Sequence, residues 1–266
     1  MIRLRHITIL MFLMIGVSSA GGQTLLKLYE SKQPLGGWEI DPLGNLYVWS
    51  GYDLTKVDSS GNISQTYSSR ENGFLSGLDV TNPFSPMLVY HSSSTLLELD
   101  NSFSIKSKLN PVETGNVDQL LICRVPGQGF WMFNRITGRP ELLDFQARKI
   151  SEGTPISSVL SGNMEVIAMI ASDDYLVLTV KGFGLLVFDR YGTFFKKIPG
   201  AETQACGFSG SDLFYRQGDL VVKFDFKKHV GVGFMRLEDA AAISDVKIAN
   251  GRVFMLKGNV ILRYVP

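Results

Sequence analysis

The chain has 266 residues, of which 45% are hydrophobic, 19% charged and 11% aromatic, a balance that excludes disorder as the main state and allows a sizeable core. Its 26 basic against 25 acidic side chains leave no basic excess, which speaks against a nucleic-acid binder. Its 27 glycines and 10 prolines favour many short strands and turns over long helices.

The first element in chain order is a leader. Arg3 and Arg5 precede the apolar run Ile7 to Val17, and Ser18, Ser19 and Ala20 supply the small residues that a signal peptidase reads. The run is shorter than the ~20 apolar residues of a membrane-spanning helix. The expectation is therefore a signal peptide over residues 1–20 and one domain over 21–266, exported to the periplasm or outer surface with no transmembrane segment in the mature chain.

Next comes a strand-like segment, Thr24 to Tyr29, and then a repeat. Leu54 to Asp58 has counterparts ending at Asp100, Asp144, Asp189 and Asp225, and a last copy runs from Val260 to Tyr264. Successive spacings are 42, 44, 45, 36 and 39 residues. Each copy is preceded by a second apolar run, namely Leu46–Trp49, Met87–Tyr90, Phe130–Phe133, Tyr175–Leu178, Leu213–Tyr215 and Val253–Leu256. These runs are too short for helices and rich in β-branched and aromatic residues, so each pair reads as a hairpin. A third segment lies upstream of each hairpin and a fourth downstream, which makes four strands per unit and one propeller blade of about forty residues. The sixth unit stops after its third strand while Thr24–Tyr29 stands alone, so the expected fold is all-β, a six-bladed β-propeller closed by the N-terminal strand in the last blade.

Within the first unit, the stretch Asp41-Pro42-Leu43-Gly44-Asn45-Leu46-Tyr47-Val48 resembles the D-x-x-G-N-L-Y-V phrase of NHL-type, six-bladed TolB-like propellers. Asp58 to Gly61 and Asp189 to Gly192 resemble their turn. The resemblance implies a fold and no particular activity, because such propellers host lactonases, lyases, sugar binders and scaffolds alike.

The candidate sites follow from the repeat. The recurring aspartates sit where a turn after the third strand needs an acceptor for its backbone N–H groups, which makes them structural. His91 and His229 are read as turn or surface residues, and Trp131 and Phe133 as core. Cys123 and Cys206 are too few for a disulfide framework and are expected as buried free thiols. No cofactor is implied. The loops after the second strands all emerge on one face of a propeller, and they gather Arg135, Arg139, Lys181, Arg216 and Lys257 against Asp53 and Asp219. That face is the expected binding surface, for a protein or anionic polymer of the cell envelope. The expected function is thus a non-catalytic binding or scaffold propeller. One alternative is an NHL-like or lactonase-like hydrolase or lyase with a metal in the central channel, for which Asp79, Glu165 and Asp245 are the candidate carboxylates; another is a carbohydrate-binding module.

Overall fold

A computed structural model describes residues 24–111, 121–162 and 164–265. The leader, residues 1–20, lies outside the described residues, as do the first residues of the segment read upstream of the third hairpin.

Six four-stranded antiparallel sheets form a ring. Blade 1 holds β2 (Gly37–Ile40), β3 (Leu46–Ser50), β4 (Asp53–Val57) and β5 (Ile63–Ser68), and blade 2 holds β6 (Gly77–Asp79), β7 (Met87–Tyr90), β8 (Thr95–Leu99) and β9 (Ile105–Leu109). Blade 3 is β10 (Ile122–Val125), β11 (Gly129–Asn134), β12 (Arg139–Leu143) and β13 (Lys149–Glu152). Blade 4 is β14 (Val166–Ala171), β15 (Tyr175–Val180), β16 (Gly184–Asp189) and β17 (Phe194–Pro199). Blade 5 is β18 (Gln204–Ser209), β19 (Asp212–Gln217), β20 (Leu220–Asp225) and β21 (Val230–Arg236). Blade 6 combines β22 (Ile243–Ala249), β23 (Arg252–Lys257) and β24 (Val260–Val265) with β1 (Thr24–Glu30).

The closure expected from the orphan strand is present. β1 lies antiparallel on the outer side of β24, with Leu25 opposite Tyr264 and Lys27 opposite Leu262. An extra residue, Leu28, sits at the bulge before Tyr29, and it is buried among Trp38, Ile40, Phe254 and Ile261. The N-terminal strand therefore contributes both a hydrogen-bonded ladder and an apolar anchor at the junction of blades 6 and 1.

The burial pattern explains why two runs per unit are predominantly apolar. Second and third strands are sandwiched between neighbouring blades, so both of their faces are covered: β7 and β11 are buried at every position and β16 at all but its last. Outer strands alternate or are open to solvent, as in β5 and β21. The six hydrophobic clusters correspond to the six interfaces between adjacent blades. Trp131, Phe133 and Leu142 of blade 3 pack on Val166, Leu176 and Phe188 of blade 4, and Tyr47, Trp49 and Leu54 of blade 1 on Leu88, Tyr90 and Leu97 of blade 2. Trp131 and Phe133 are core, as read from the sequence.

Candidate functional site

The innermost strands β2, β6, β10, β14, β18 and β22 surround a central cavity of about 400 Å³. Its mouth is bordered by Pro42, Thr81, Gly210 and Asn250, so it opens on the side of the first-to-second strand turns. Glu39 and Lys247 line it from blades 1 and 6, with Lys247 Nζ donating to Glu39 Oε1 at 2.7 Å. Asp245 Oδ2 stands 3.9 Å from the same ammonium. Burial pushes Glu39 above the usual carboxylate range, because a single lysine shared with Asp245 offsets only part of the lost hydration. Burial pulls Lys247 down, but Glu39 and Asp245 together outweigh it and hold the ammonium above its ordinary value. Asp79, on blade 2, accepts the backbone N–H of Arg124 in blade 3 at 2.7 Å and that of Thr81 at 3.0 Å. Glu39 and Asp79 act as ties between neighbouring blades.

Of the three carboxylates read as channel candidates, Asp79 lines the cavity and Asp245 stands beside it. Glu165 does not join them: it precedes β14 at the opposite end of its blade and pairs with Lys181 at 2.9 Å. Among the described residues, no three histidine, cysteine, aspartate or glutamate side chains are grouped to hold a metal ion. Cys123 and Cys206 line the same cavity as free, buried thiols. Burial and then Asp245 push Cys206 up to about 12, and burial with Asp79 behind it raises Cys123 well above its ordinary value.

The repeated aspartates are turn acceptors. Asp58 Oδ1 takes the N–H of Ser60 and of Asn62, each at 2.9 Å, and Asp100, Asp144 and Asp189 repeat the pair of bonds two and four residues on. Asp225 varies the theme through Lys227 and Lys228. The backbone bond from Asn62 draws Asp58 below the carboxylate norm, and that from Arg148 does the same for Asp144. His91 opens the β7–β8 turn, and His229 occupies the β20–β21 turn with φ 56°.

The five basic residues read as a binding surface do sit at or beside the loops after the second strands, but each has bonds within the chain. Lys181 pairs with Glu165, Arg139 with Glu152 at 2.7 Å, and Lys257 with Asp239 at 3.1 Å. Arg135 reaches the Val166 carbonyl at 3.4 Å. Arg216 donates to the carbonyls of Gly218 (2.9 Å), Ile243 (2.6 Å) and Ala240 (2.8 Å), which pins blade 5 to blade 6. Sequence reasoning missed a feature of the same face: Ile136, between Arg135 and Arg139, is 76% exposed and borders a cavity of about 490 Å³ shared by blades 3 and 4. Its place in a loop with two arginines was the available signal. The Glu39–Lys247 pair was also missed, because 208 residues separate its members.

No family model matches the sequence, and neither does any curated protein. Solved structures do. Virginiamycin B lyase from Staphylococcus aureus superposes with a TM-score of 0.60 at 10% identity, covering 92% of this chain and 99% of that one. The WD40 domain of Neurospora crassa Pan2 gives a TM-score of 0.58 at 9% identity, over 88% and 75% of the two chains. At such identities the likeness establishes the propeller fold, and it spans an enzyme and a domain of the WD40 class.

Proposed function

We propose that the chain is an exported, non-catalytic binding propeller of the bacterial cell envelope, and that the face bearing the loops after the second strands engages an acidic protein or anionic polymer. Export is supported by the leader pattern of Arg3, Arg5 and Ile7 to Val17. The observation that carries the binding reading is Ile136. It is the most exposed large hydrophobic among the described residues and projects from the β11–β12 loop beside a cavity that Arg135 and Glu165 also line; Lys181 pairs with Glu165, and Arg139 ends the same loop. An apolar anchor beside partly neutralised charge is the anatomy of a docking site, in which the charges steer the partner and the apolar centre holds it. The channel carboxylates fit the non-catalytic half of the reading, since Glu39 and Asp79 are engaged in bonds to adjacent blades.

Photo-crosslinking in intact cells tests this. A crosslinking side chain at Ile136 is expected to capture a partner that the same group at Leu43, 57% exposed on the opposite face, does not. Capture from Leu43 alone refutes it. A second reading, a hydrolase or lyase acting in the channel, draws on the raised carboxyl of Glu39 beside Lys247. Metal analysis of the purified protein distinguishes the metal-dependent form of that reading, which requires a stoichiometric ion.

A further inference from the structure

The outermost strand of each blade is a sheet edge, with backbone N–H and C=O groups facing outward. Edges of this kind attract foreign strands unless charge, proline or a bulge blunts them. β9 carries Lys106 and Lys108, β13 has Lys149 and Glu152, β17 has Lys196, Lys197 and Pro199, and β1 has Lys27 and Glu30. β5 is uncharged but polar at Ser64, Gln65 and Thr66.

The first four residues of β21, Val230 to Gly233, lack these guards. Val230 to Met235 contains no charged side chain, and Val230, Val232 and Phe234 are 43%, 60% and 44% exposed. Packing accounts for one of its glycines, since a Cβ on Gly231 would lie 2.8 Å from the Tyr215 hydroxyl. The bulge is also displaced. In blades 1 to 4 the extra residue is the second of the outer strand, at Ser64, Lys106, Ile150 and Phe195, where it twists the edge at its start. In β21 it comes at Phe234, so Val230 to Gly233 pair regularly with β20.

The two ends of this edge differ in charge. At its start lie Lys227, Lys228 and Lys196, whose Nζ donates to the His229 carbonyl at 2.9 Å, against Asp225. At its finish Arg236 is paired with Asp219. We propose that β21 accepts, by strand addition, an extended segment of a partner protein with apolar residues at alternate positions and acidic residues at the end meeting Lys227 and Lys228. A second copy of this chain fits less well: antiparallel pairing about Val232, the register that sets Val230 against Phe234, places Lys228 of each copy opposite Arg236 of the other. The site is on the rim of the ring and does not depend on the loop face proposed above.

The test uses the purified full chain and a capped synthetic peptide of alternating valine and threonine ending in three aspartates, with a control peptide ending in three lysines. The acidic peptide is expected to slow hydrogen exchange at 230–234 and to bind at least about tenfold more tightly than the control. Val232→Asn removes an apolar contact without adding charge, and Lys227→Gln with Lys228→Gln removes the basic end. Each should weaken the acidic peptide about tenfold while leaving the Tm unchanged. Equal binding of both peptides, indifference to these substitutions, protection at another outer strand, or dimerisation through β21 in place of peptide binding would each overturn the proposal.

Discussion

Glu39 on the first blade and Lys247 on the last meet at 2.7 Å where the ring closes, 208 residues apart in the chain. The bond lies on the channel side of the junction that β1 and β24 close from the outside. Blade 1 is thus tied to blade 6 at both radii, by an ion pair within and, on the outside, by β1, which pairs with β24 and runs on into β2.

Lys247→Met leaves Glu39 without its lysine. Removing one partner of a fully buried pair costs about 3–5 kcal/mol; here the side chains are 23% and 30% exposed, so about 1–3 kcal/mol is expected. The sign of the pH dependence follows from the raised pKa of Glu39. The folded state favours the protonated carboxyl, so its contribution is most favourable below the unfolded value of 4.5 and is lost as pH rises through the folded value. Without Lys247 that loss grows. Urea unfolding should show a wide gap between Lys247→Met and wild type at about pH 7 that narrows near about pH 4. A gap of equal size at both would contradict the assignment.

Leu28→Ala tests the outer half of the closure. Leu28 is 7% exposed in the cluster between blades 6 and 1, and truncation of a buried leucine costs about 2–5 kcal/mol. Leu26, in the same strand but 44% exposed, should cost under about 1 kcal/mol when truncated. Deleting residues 21–30 removes ladder and anchor together, and a large fall in Tm is expected. Thermal melts of the three variants check the order; equal effects of Leu26→Ala and Leu28→Ala would show that β1 is held by its ladder alone.

How far the fold was legible in the sequence follows from which strands are covered. Leu46–Trp49 and Leu185–Phe188 are buried on both faces, so they print as continuous apolar runs, and such runs repeat at blade spacing. Innermost strands such as Gly37–Ile40 have one buried face, outer ones such as Lys149–Glu152 have none, and both have little composition of their own. They could be located only relative to the hairpins. Site geometry was less legible because charge on a loop does not reveal its partner: Arg216 and Arg139 look alike in sequence, yet one binds three carbonyls and the other a glutamate.

The D-x-x-G turn offers a test in which the sign of the effect reverses. The fourth position is left-handed at Gly192 (φ 80°) and at Ala147 (φ 60°), although only the first has the residue suited to it. Ala147→Gly is expected to stabilise by about 0.5–1 kcal/mol, the strain of a left-handed alanine less the contact of one methyl. Gly192→Ala should destabilise by more than about 2 kcal/mol, because its Cβ would lie 2.7 Å from the Cα of Gly153 and 3.0 Å from the Trp131 ring. Denaturant midpoints moving in the same direction for both would show that packing, not backbone handedness, governs the turn.

The thiols have a native-state signature. Cys123 and Cys206 are unbridged, 5% and 6% exposed, and hold their protons more tightly than a free cysteine. Reagents that attack the thiolate should count two groups in denaturant and react at least about a hundredfold more slowly with the native protein at neutral pH. Because both folded values are raised, the stability they contribute is complete below about pH 8 and declines as pH rises through the unfolded thiol range toward about 12. Fast native labelling at neutral pH would show that the cavity opens far enough to expose them.

Arg216 and Arg139 separate the structural from the displayed members of the basic face. The Arg216 guanidinium satisfies carbonyls of Ile243 and Ala240 across the boundary between blades 5 and 6, and a third at Gly218. Arg216→Ala strands those acceptors and frees the start of β22, so a loss of about 2–4 kcal/mol is expected. Arg139 meets Glu152 where both side chains are substantially exposed, at 32% and 41%, and such pairs contribute about 0–1 kcal/mol. Arg139→Ala should therefore leave the melting temperature nearly unchanged while reducing the salt dependence of any partner that docks around Ile136. Arg216→Lys sharpens the comparison: it keeps the charge but not the planar fork that reaches three carbonyls, so it should recover little of the lost stability. Full recovery by lysine would mean that charge on this face, rather than the tie between blades, is what Arg216 supplies.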